Sequence, residues 1–239
     1  MSHPIRFQNR QDAGEQLAEA LLPYAGRAEA IVLALPRGGV PVGYAVAQAL
    51  QVELDVILVR KLGLPHHEEF AMGAIGSGGV RVLNGEAIDA FAISAEVLEA
   101  ACARELAVIA TRERRYRGGR TPLDLHGRTA ILVDDGLATG SSMRAAARVA
   151  RRLDAVRVVA AVPVGARESC ETLARDTDEV VCLHRPSDFH AVSQWYGDFT
   201  QTSDDEVERL LALAWSCHGV RSAPAHQQVR AAHHGPPVH

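Results

Sequence analysis

The sequence predicts an α/β protein with a central parallel sheet flanked by helices. Apolar runs of strand length alternate with segments that carry apolar residues at helical spacing, which is typical of βα units. The runs are rich in Val and Ile and contain few charges, as expected for strands that helices cover on both faces. With 239 residues, of which 47% are hydrophobic, the chain can fill a sizeable core.

The predicted elements begin with a helix over residues 12–24. The five predicted strands are residues 31–35, 54–59, 129–133, 156–162 and 179–183. The helices between them are predicted over residues 40–50, 95–115, 143–153 and 167–176. A Gly/Ser turn between two short apolar runs indicates a β-hairpin, residues 70–83, appended to the sheet. Ser203, followed three residues later by Glu206, has the capping-box pattern that begins a further helix.

No internal repeat and no clear linker divides the sequence, so one domain is expected over residues 1–218. Residues 116–126 are polar and rich in glycine, which predicts a mobile connection between a long helix and the third strand. The tail, residues 219–239, consists largely of His, Ala, Pro and Gln with little to bury. It is predicted to be disordered.

Composition argues against several classes of partner. Lys and Arg number 25 against 29 Asp and Glu, and the net charge of −4 gives no electrostatic reason to expect nucleic-acid binding. No stretch approaches the length of a membrane span, and the N-terminus lacks the apolar segment of a signal peptide. The cysteines lack CxxC spacing and are expected to be reduced thiols. A soluble cytoplasmic protein is therefore the expectation.

The stretch ILVDDGLATGSSM, residues 131–143, combines features of a ligand site. Its apolar strand delivers Asp134 and Asp135 to the carboxyl edge of the sheet, where open α/β sheets bind ligands. The small residues 136–142 then lead into a helix, so backbone N–H groups, the helix N-terminus and three hydroxyls can surround a phosphate. The carboxylates need another partner, either sugar hydroxyls or a divalent metal. A phosphorylated sugar fits both halves of the stretch.

Other phosphate motifs fit this stretch less well. The loop lacks the Lys of a P-loop and the G-x-G-x-x-G of a dinucleotide site. Its adjacent carboxylates also differ from the i, i+2 aspartates of haloacid-dehalogenase phosphatases. The remaining alternative is an ordinary strand–turn–helix connection with a solvated Asp pair and a capping Ser. The order of strand, acidic pair, small-residue loop and helix start favours a site.

The same stretch resembles the motif with which type I phosphoribosyltransferases bind 5-phosphoribosyl-1-pyrophosphate (PRPP). The resemblance implies that Asp134 and Asp135 hold the ribose 2- and 3-hydroxyls and contact Mg²⁺ indirectly, since the substrate holds most of that ion. It also implies a cradle for the 5-phosphate, formed by Ala138, Thr139, Gly140, Ser141 and Ser142, with Gly136 as a further PRPP-binding residue. Hypoxanthine-guanine enzymes carry an Asp where this chain has Ala138, and DDGLATGSSM is closer to the adenine enzymes.

A second anion site is predicted after the first strand. In Pro36-Arg37-Gly38-Gly39, two glycines expose N–H groups and Arg37 offers a forked donor. An ordinary Gly-rich turn is the alternative. The segment resembles the pyrophosphate loop of the family, and its match to the hypoxanthine-guanine enzymes places a cis peptide bond between Pro36 and Arg37.

Two cations, Arg60 and Lys61, follow the second predicted strand. At the carboxyl end of a strand beside the pyrophosphate loop, they are well placed to neutralise a leaving pyrophosphate. Surface side chains are the alternative, and family members with an RK pair here favour the first interpretation. The predicted catalytic residues are Arg37, Lys61, Asp134 and Asp135.

Type I enzymes also close a flexible loop over the reaction, and residues 116–124 match that loop in placement. Tyr116, Arg117 and Arg120 would then cover the anionic substrate and help to exclude water. Loops rich in Arg and Gly are also commonly solvated without any such role.

The aromatic segment after the last predicted strand corresponds to the hood of the family, here formed mainly by residues 185–215. Phe189, Trp195 and Tyr196 are the predicted contacts of an acceptor ring. Packing in a core is the alternative for these aromatic side chains.

Over most of Phe7–Leu213, the sequence is similar to uncharacterised bacterial proteins predicted to be phosphoribosyltransferases, which share RKLG, a YRGGR-like loop and a WY-containing hood. The resemblance implies Mg²⁺-dependent transfer of the phosphoribosyl group of PRPP to a nitrogenous acceptor, in nucleotide metabolism, by a possible homodimer. It does not identify the acceptor. The alternatives are a PRPP- or nucleotide-binding regulatory protein without transfer activity and a phosphosugar hydrolase.

Overall fold

Eight strands and seven helices are present in the computed structural model, which describes residues 7–64 and 67–219, except for the side chains of residues 64–71 and 217–219. The strands are β1 Ala30–Ala34, β2 Glu53–Val56, β3 Val59–Leu64, β4 His67–Gly76, β5 Arg81–Leu83, β6 Thr129–Val133, β7 Arg157–Val164 and β8 Glu179–His184. The helices are α1 Arg10–Ala20, α2 Gly39–Leu50, α3 Gly85–Ala90, α4 Ala95–Arg117, α5 Ser141–Arg152, α6 Arg167–Leu173 and α7 Asp204–Gly219.

Five strands form a parallel sheet in the order β2-β1-β6-β7-β8. Ala34, the last residue of β1, pairs with Val133, the last residue of β6, and with Val56 of β2. These three strands therefore end at the same level, and the loops that follow them emerge side by side. The predicted architecture, a central parallel sheet flanked by helices, is confirmed.

Two apolar clusters lie on opposite faces of this sheet, and alternate residues of β6 divide between them. Ile131 and Val133 join the cluster that contains residues of α2 and α7, whereas Ala130 and Leu132 join the cluster that contains residues of α5 and α6. Successive side chains of a strand point to opposite faces. Both faces of β6 are buried, which explains its continuous apolar sequence.

A second, antiparallel sheet consists of β3, β4 and β5 and packs against α4 and α5. Residues 54–59, predicted as one strand, are instead divided, because β2 ends at Val56 and β3 begins at Val59 in the second sheet. The predicted hairpin is present as β4 and β5, but it pairs with β3 and does not extend the parallel sheet. Extended apolar residues suit either sheet, so the run itself did not reveal where the chain passes from one to the other.

The two ends of the described chain agree with the predicted helices. The N-terminal helix is α1, which Asn9 caps by accepting a hydrogen bond from the Asp12 amide at 3.0 Å, followed by a 3-10 turn at Leu22–Tyr24. Ser203 Oγ accepts from the Glu206 amide at 3.1 Å at the start of α7. The predicted disordered tail, residues 219–239, lies outside the described residues beyond Gly219. In the described residues, none of the helices has the length and apolar character needed to cross a bilayer.

Candidate functional site: the edge where β1 and β6 end

The acidic pair lies directly after β6, at the carboxyl edge of the sheet. Both carboxylates are partly buried. Asp134 Oδ1 accepts a hydrogen bond from the Asp135 amide at 2.9 Å, and Asp135 Oδ2 accepts one from Arg10 Nε at 2.8 Å. Each carboxylate thus uses one oxygen within the protein. Its other oxygen, Oδ2 of Asp134 and Oδ1 of Asp135, makes no hydrogen bond to the described residues, so it can accept from a bound hydroxyl.

The loop after β1 packs directly against this acidic pair. A Cβ atom at Gly38 would lie 2.1 Å from Asp135 Oδ2, and one at Gly39 would lie 2.6 Å from the Val133 carbonyl oxygen. A side chain at Gly39 would therefore overlap the backbone at the end of β6, and a side chain at Gly38 would displace the Asp135 carboxylate. The predicted cis peptide bond between Pro36 and Arg37 is present. Two motifs almost a hundred residues apart in sequence thus share one surface.

Burial raises the pKa of both aspartates above the ordinary range of an Asp carboxyl. The pKa of Asp134 is raised first by desolvation and second by the negative charge of Asp135. Desolvation also raises the pKa of Asp135, while the Arg10 guanidinium acts in the opposite direction. Adjacent carboxylates disfavour each other's ionised form. The site therefore holds negative charge at a cost, which a ligand that donates hydrogen bonds to the carboxylates would offset.

The small-residue loop forms the start of α5. Gly140 adopts a positive φ of 72° immediately before Ser141 and has no side chain to cap the helix, while Thr139 Oγ1 accepts a long hydrogen bond of 3.4 Å from the Ser141 amide. Leu137 anchors the loop to β7, since its amide donates to the Val164 carbonyl at 2.9 Å. Ala138, Thr139, Ser141 and Ser142 are exposed. Backbone N–H groups and hydroxyls at an uncapped helix N-terminus can bind an anion.

The hood covers the acidic pair from the other side. Tyr196 Oη donates a hydrogen bond to the Asp135 carbonyl at 2.6 Å. A Cβ atom at Gly136 would lie 2.5 Å from a methyl group of Val192, so the hood touches the backbone of the loop. Trp195 and Tyr196 are each 5% exposed and form an apolar cluster with Phe7. Their predicted stacking on an acceptor is therefore corrected: their rings form the core of the hood, and the half-buried Phe189 packs against it.

Arg10 is a site residue that the sequence analysis missed. It belongs to the first turn of α1, is 9% exposed and donates to Asp135. It lies 125 positions before its partner in the sequence. No motif surrounds it, so the contact depends entirely on how α1 packs near the end of β6.

Arg37 lies at the mouth of the site, with its Nη1 3.8 Å from Asp204 Oδ1 at the start of α7. The same carboxylate oxygen accepts a hydrogen bond from Tyr116 Oη at 2.5 Å. Tyr116 and Arg117 were predicted to belong to a flexible loop, and this prediction is wrong. Both lie in the last turn of α4 and are buried, because each side chain has a carboxylate partner in the fold. Tyr116 supports Asp204, and Arg117 pairs with Asp55.

Arg120 does lie in the irregular segment after α4, but it faces the amino end of the sheet. Its guanidinium is 3.6 Å from Glu53 Oε1, at the first residue of β2, and 4.3 Å from the ring centroid of Trp215. A segment that leads into a parallel strand must reach the amino end of that strand, whereas the acidic pair lies at the carboxyl end. The predicted contact of Arg120 with substrate is therefore corrected.

The predicted cations of the second strand lie on β3, in the antiparallel sheet. Arg60 Nε donates to Glu105 Oε2 of α4 at 2.8 Å, and Lys61 is exposed. Neither residue ends a strand of the parallel sheet. Their proposed role against pyrophosphate therefore depends on how the second sheet faces a bound ligand.

The donor set of the acidic pair suits a hard cation that a ligand shares. Carboxylate oxygens are the ligands that Mg²⁺ prefers, and this ion commonly keeps substrate or water oxygens in its shell. No group of three or more His, Cys, Asp or Glu side chains that could hold a metal occurs within the described part of the chain. The residues thus fit an ion held largely by substrate, with Asp134 and Asp135 beside it.

Comparison with known families agrees with this geometry. The sequence matches the family described as the phosphoribosyl transferase domain over residues 6–200, which include Arg10, the loop after β1, the acidic pair and the start of α5. The chain belongs to the phosphoribosyl transferase family.

Relatives of this phosphoribosyl transferase chain cover most of its length. Two curated proteins of Mycobacterium tuberculosis, from strains CDC 1551 / Oshkosh and ATCC 25618 / H37Rv, are provisionally named phosphoribosyl transferases; each is 49% identical over 208 residues. The match covers 87% of this chain and 47% of theirs, so the chain spans about half the length of these relatives. The crystal structure of TT1426 from Thermus thermophilus is similar with a TM-score of 0.78 at 46% identity, over 86% of this chain and 97% of that one.

Proposed function

We propose that this phosphoribosyl transferase moves the 5-phosphoribosyl group of PRPP to a nitrogenous acceptor and releases pyrophosphate. One observation carries the proposal: the glycines of the loop after β1 lie against the acidic pair after β6. A pyrophosphate loop and a ribose site must be neighbours, because C1 of the sugar is bonded to the pyrophosphate oxygen. Their contact at one edge of the sheet meets that requirement.

Asp134 and Asp135 hold the ribose in this proposal. The 2- and 3-hydroxyls donate to the carboxylate oxygens that have no hydrogen-bond partner among the described residues. The 5-phosphate binds to the N–H groups and hydroxyls of the small-residue loop, from Gly136 to Ser142. Holding the sugar at both ends fixes C1 relative to the acceptor, and such fixation lowers the entropic barrier of the transfer.

The protein contributes to bond breaking chiefly by electrostatics. As the acceptor nitrogen forms its bond to C1, the bond from C1 to the pyrophosphate oxygen breaks and negative charge develops on the leaving group. Arg37 and the N–H groups of Gly38 and Gly39 stabilise that charge, with Arg60 and Lys61 as further cations. Mg²⁺ held beside Asp134 and Asp135, mainly by the substrate, would supply additional charge neutralisation.

The hood is the proposed location of the acceptor. Val192 contacts the loop backbone at Gly136, and Phe189 is the half-buried aromatic residue of this region that the prediction singled out. An apolar ring with nitrogen nucleophiles suits such a surface. The chemical class proposed for the acceptor is therefore a nitrogenous base, with its identity left to experiment.

The test is to incubate the protein with PRPP, Mg²⁺ and a panel of purine, pyrimidine and other nitrogenous acceptors while pyrophosphate release is measured. Release that depends on one acceptor supports transfer. Release without any acceptor would instead indicate a hydrolase, and tight PRPP binding without turnover would indicate a regulatory protein.

A double variant, Asp134→Asn with Asp135→Asn, tests the ribose assignment. It is expected to lose PRPP binding in calorimetry. The matched control neutralises two exposed carboxylates of α3, Glu86→Gln with Asp89→Asn, and is expected to bind PRPP like the parent. Equal binding by both double variants would refute the assignment.

A further inference from the structure

The Arg10 guanidinium makes three contacts, one of which is with the acidic pair. Its Nε donates to Asp135 Oδ2 at 2.8 Å, its Nη1 donates to the Thr200 carbonyl at 2.7 Å, and its Cζ lies 4.0 Å from the ring centroid of Phe199. The guanidinium thus joins the first turn of α1, the acidic pair and the end of the hood. We propose that Arg10 is a positioning residue, which orients the Asp135 carboxylate for PRPP and ties it to the hood. This inference rests on the proposed function.

The chemistry of this contact requires an arginine. A guanidinium presents several donors in a rigid plane, so one edge can bind Asp135 while another binds Thr200 and the face stacks on Phe199. Such a group cannot rotate without breaking at least one of these contacts. Asp135 Oδ2 is therefore held on the Arg10 side, and Oδ1 is the oxygen that remains for a ribose hydroxyl.

Arg10 and Asp135 form a largely buried ion pair. The Arg10 side chain is 10% exposed and that of Asp135 is 16% exposed, and charges removed from water need a partner. The groups that face Asp135 are Asp134 from the same loop, Arg10 from α1 and the Tyr196 hydroxyl from the hood, while Gly38 brings no charge. Arg10 is the cation of this set, and its charge opposes the effect of burial, which raises the pKa of Asp135.

A positioning role predicts a loss that is specific to the ribose. The oriented Asp135 carboxylate accepts a ribose hydroxyl, and inorganic pyrophosphate has no ribose to donate to it. Removal of Arg10 therefore weakens the binding of PRPP and leaves the binding of pyrophosphate unchanged, whereas loss of packing alone would weaken the binding of both.

The experiment measures the affinities for PRPP and for inorganic pyrophosphate, each in the presence of Mg²⁺, by calorimetry for the parent and three variants. Arg10→Gln removes the charge and is expected to bind PRPP about tenfold or more weakly while it binds pyrophosphate like the parent. Arg10→Lys keeps the charge, and its affinity for PRPP is expected to lie between those of Arg10→Gln and the parent. Arg117→Gln is the matched control, because it also breaks a buried ion pair, and it is expected to keep both affinities of the parent.

A further variant tests the orientation without altering any charge. Phe199→Leu removes the ring beneath the guanidinium and is expected to weaken PRPP binding severalfold while pyrophosphate binding is unchanged, so it decides the matter should Arg10→Gln fail to fold. The proposal is overturned if Phe199→Leu binds PRPP like the parent, or if Arg10→Gln binds PRPP like the parent or loses as much affinity for pyrophosphate as for PRPP. A parent protein that does not bind PRPP would instead overturn the proposed function.

Discussion

Two buried Arg–Asp pairs occur on the same parallel sheet, and they differ in what they leave available. On the edge strand β2, Arg117 reaches both oxygens of Asp55 at 3.0 Å, and Asp55 Oδ1 also accepts from the Val56 amide at 2.8 Å. After β6, Arg10 binds one oxygen of Asp135 at 2.8 Å. The first carboxylate has both oxygens committed within the protein, whereas the second keeps one available beside another carboxylate.

The difference separates a contact that is satisfied within the fold from one that can still accept a hydrogen bond from a ligand. A carboxylate with both oxygens paired contributes to holding α4 against β2, and it has little left to offer a ligand. A carboxylate with one oxygen unused, next to a second carboxylate whose pKa is raised by burial, holds charge that the fold itself does not need. Buried charge of that kind is typical of functional sites.

The largest expected effect is on stability at the β2 pair. Arg117→Gln leaves Asp55 buried without its cation, and breaking a buried pair in this way costs about 3–5 kcal/mol. Urea unfolding measures the loss. The added substitution Asp55→Asn is expected to restore part of the stability, and a single variant as stable as the parent would contradict the structural role.

Asp134→Asn is expected to act in the opposite way. It should weaken PRPP binding by about tenfold to a hundredfold, since a hydrogen bond to a charged group contributes about 1.5–3 kcal/mol. It should also raise the unfolding midpoint at neutral pH, because the raised pKa means that folding favours the neutral form.

The stabilising effect of Asp134→Asn should depend on pH. The contribution of Asp134 to stability is greatest below the ordinary Asp pKa of 3.8 and is lost as the pH rises through its raised pKa in the folded protein. The difference in unfolding free energy between Asp134→Asn and the parent should therefore grow as the pH rises. A difference that shrinks with rising pH would show that Asp134 is stabilised in its ionised form.

Gly38→Ala tests the contact between the two motifs. The new Cβ would lie 2.1 Å from Asp135 Oδ2, so the carboxylate must shift. Overpacking of this kind costs about 1–3 kcal/mol, and PRPP affinity should fall by a comparable amount in calorimetry. Gly119→Ala is the matched control from the Gly-Gly pair after α4, since a Cβ there meets no atom within 4 Å. Equal affinities for the two variants would show that the loop can move aside.

The smallest effect is expected at Arg120. Arg120→Ala removes an exposed contact with Glu53 and Trp215, and stability should fall by less than about 1 kcal/mol. PRPP affinity should not change, because the side chain faces the amino end of the sheet. A loss of affinity in the calorimetric titration would restore the loop role predicted from the sequence.

Patterns within single segments were sufficient to predict the parallel sheet, its helices and the residues of the two loops. Strand β6, the acidic pair and the start of α5 are consecutive, so one continuous stretch carried both the local structure and the chemistry. The cis bond at Pro36 and the glycines that approach β6 followed from the family resemblance of a four-residue segment. Local patterns did not show that the chain leaves the parallel sheet for the antiparallel sheet between β2 and β3.

Three-dimensional packing decided the partners of individual side chains. Arg10, Tyr116 and Trp195 sit in segments that give no sign of their contacts, because each contact joins elements far apart in the chain. Periodicity shows that a side chain is buried or exposed, but it does not show which distant carboxylate or backbone an arginine will meet. The acidic pair and its loop were therefore recognisable in the sequence, while the contact of Arg10 with Asp135 became visible only when α1 was seen packed beside the end of β6.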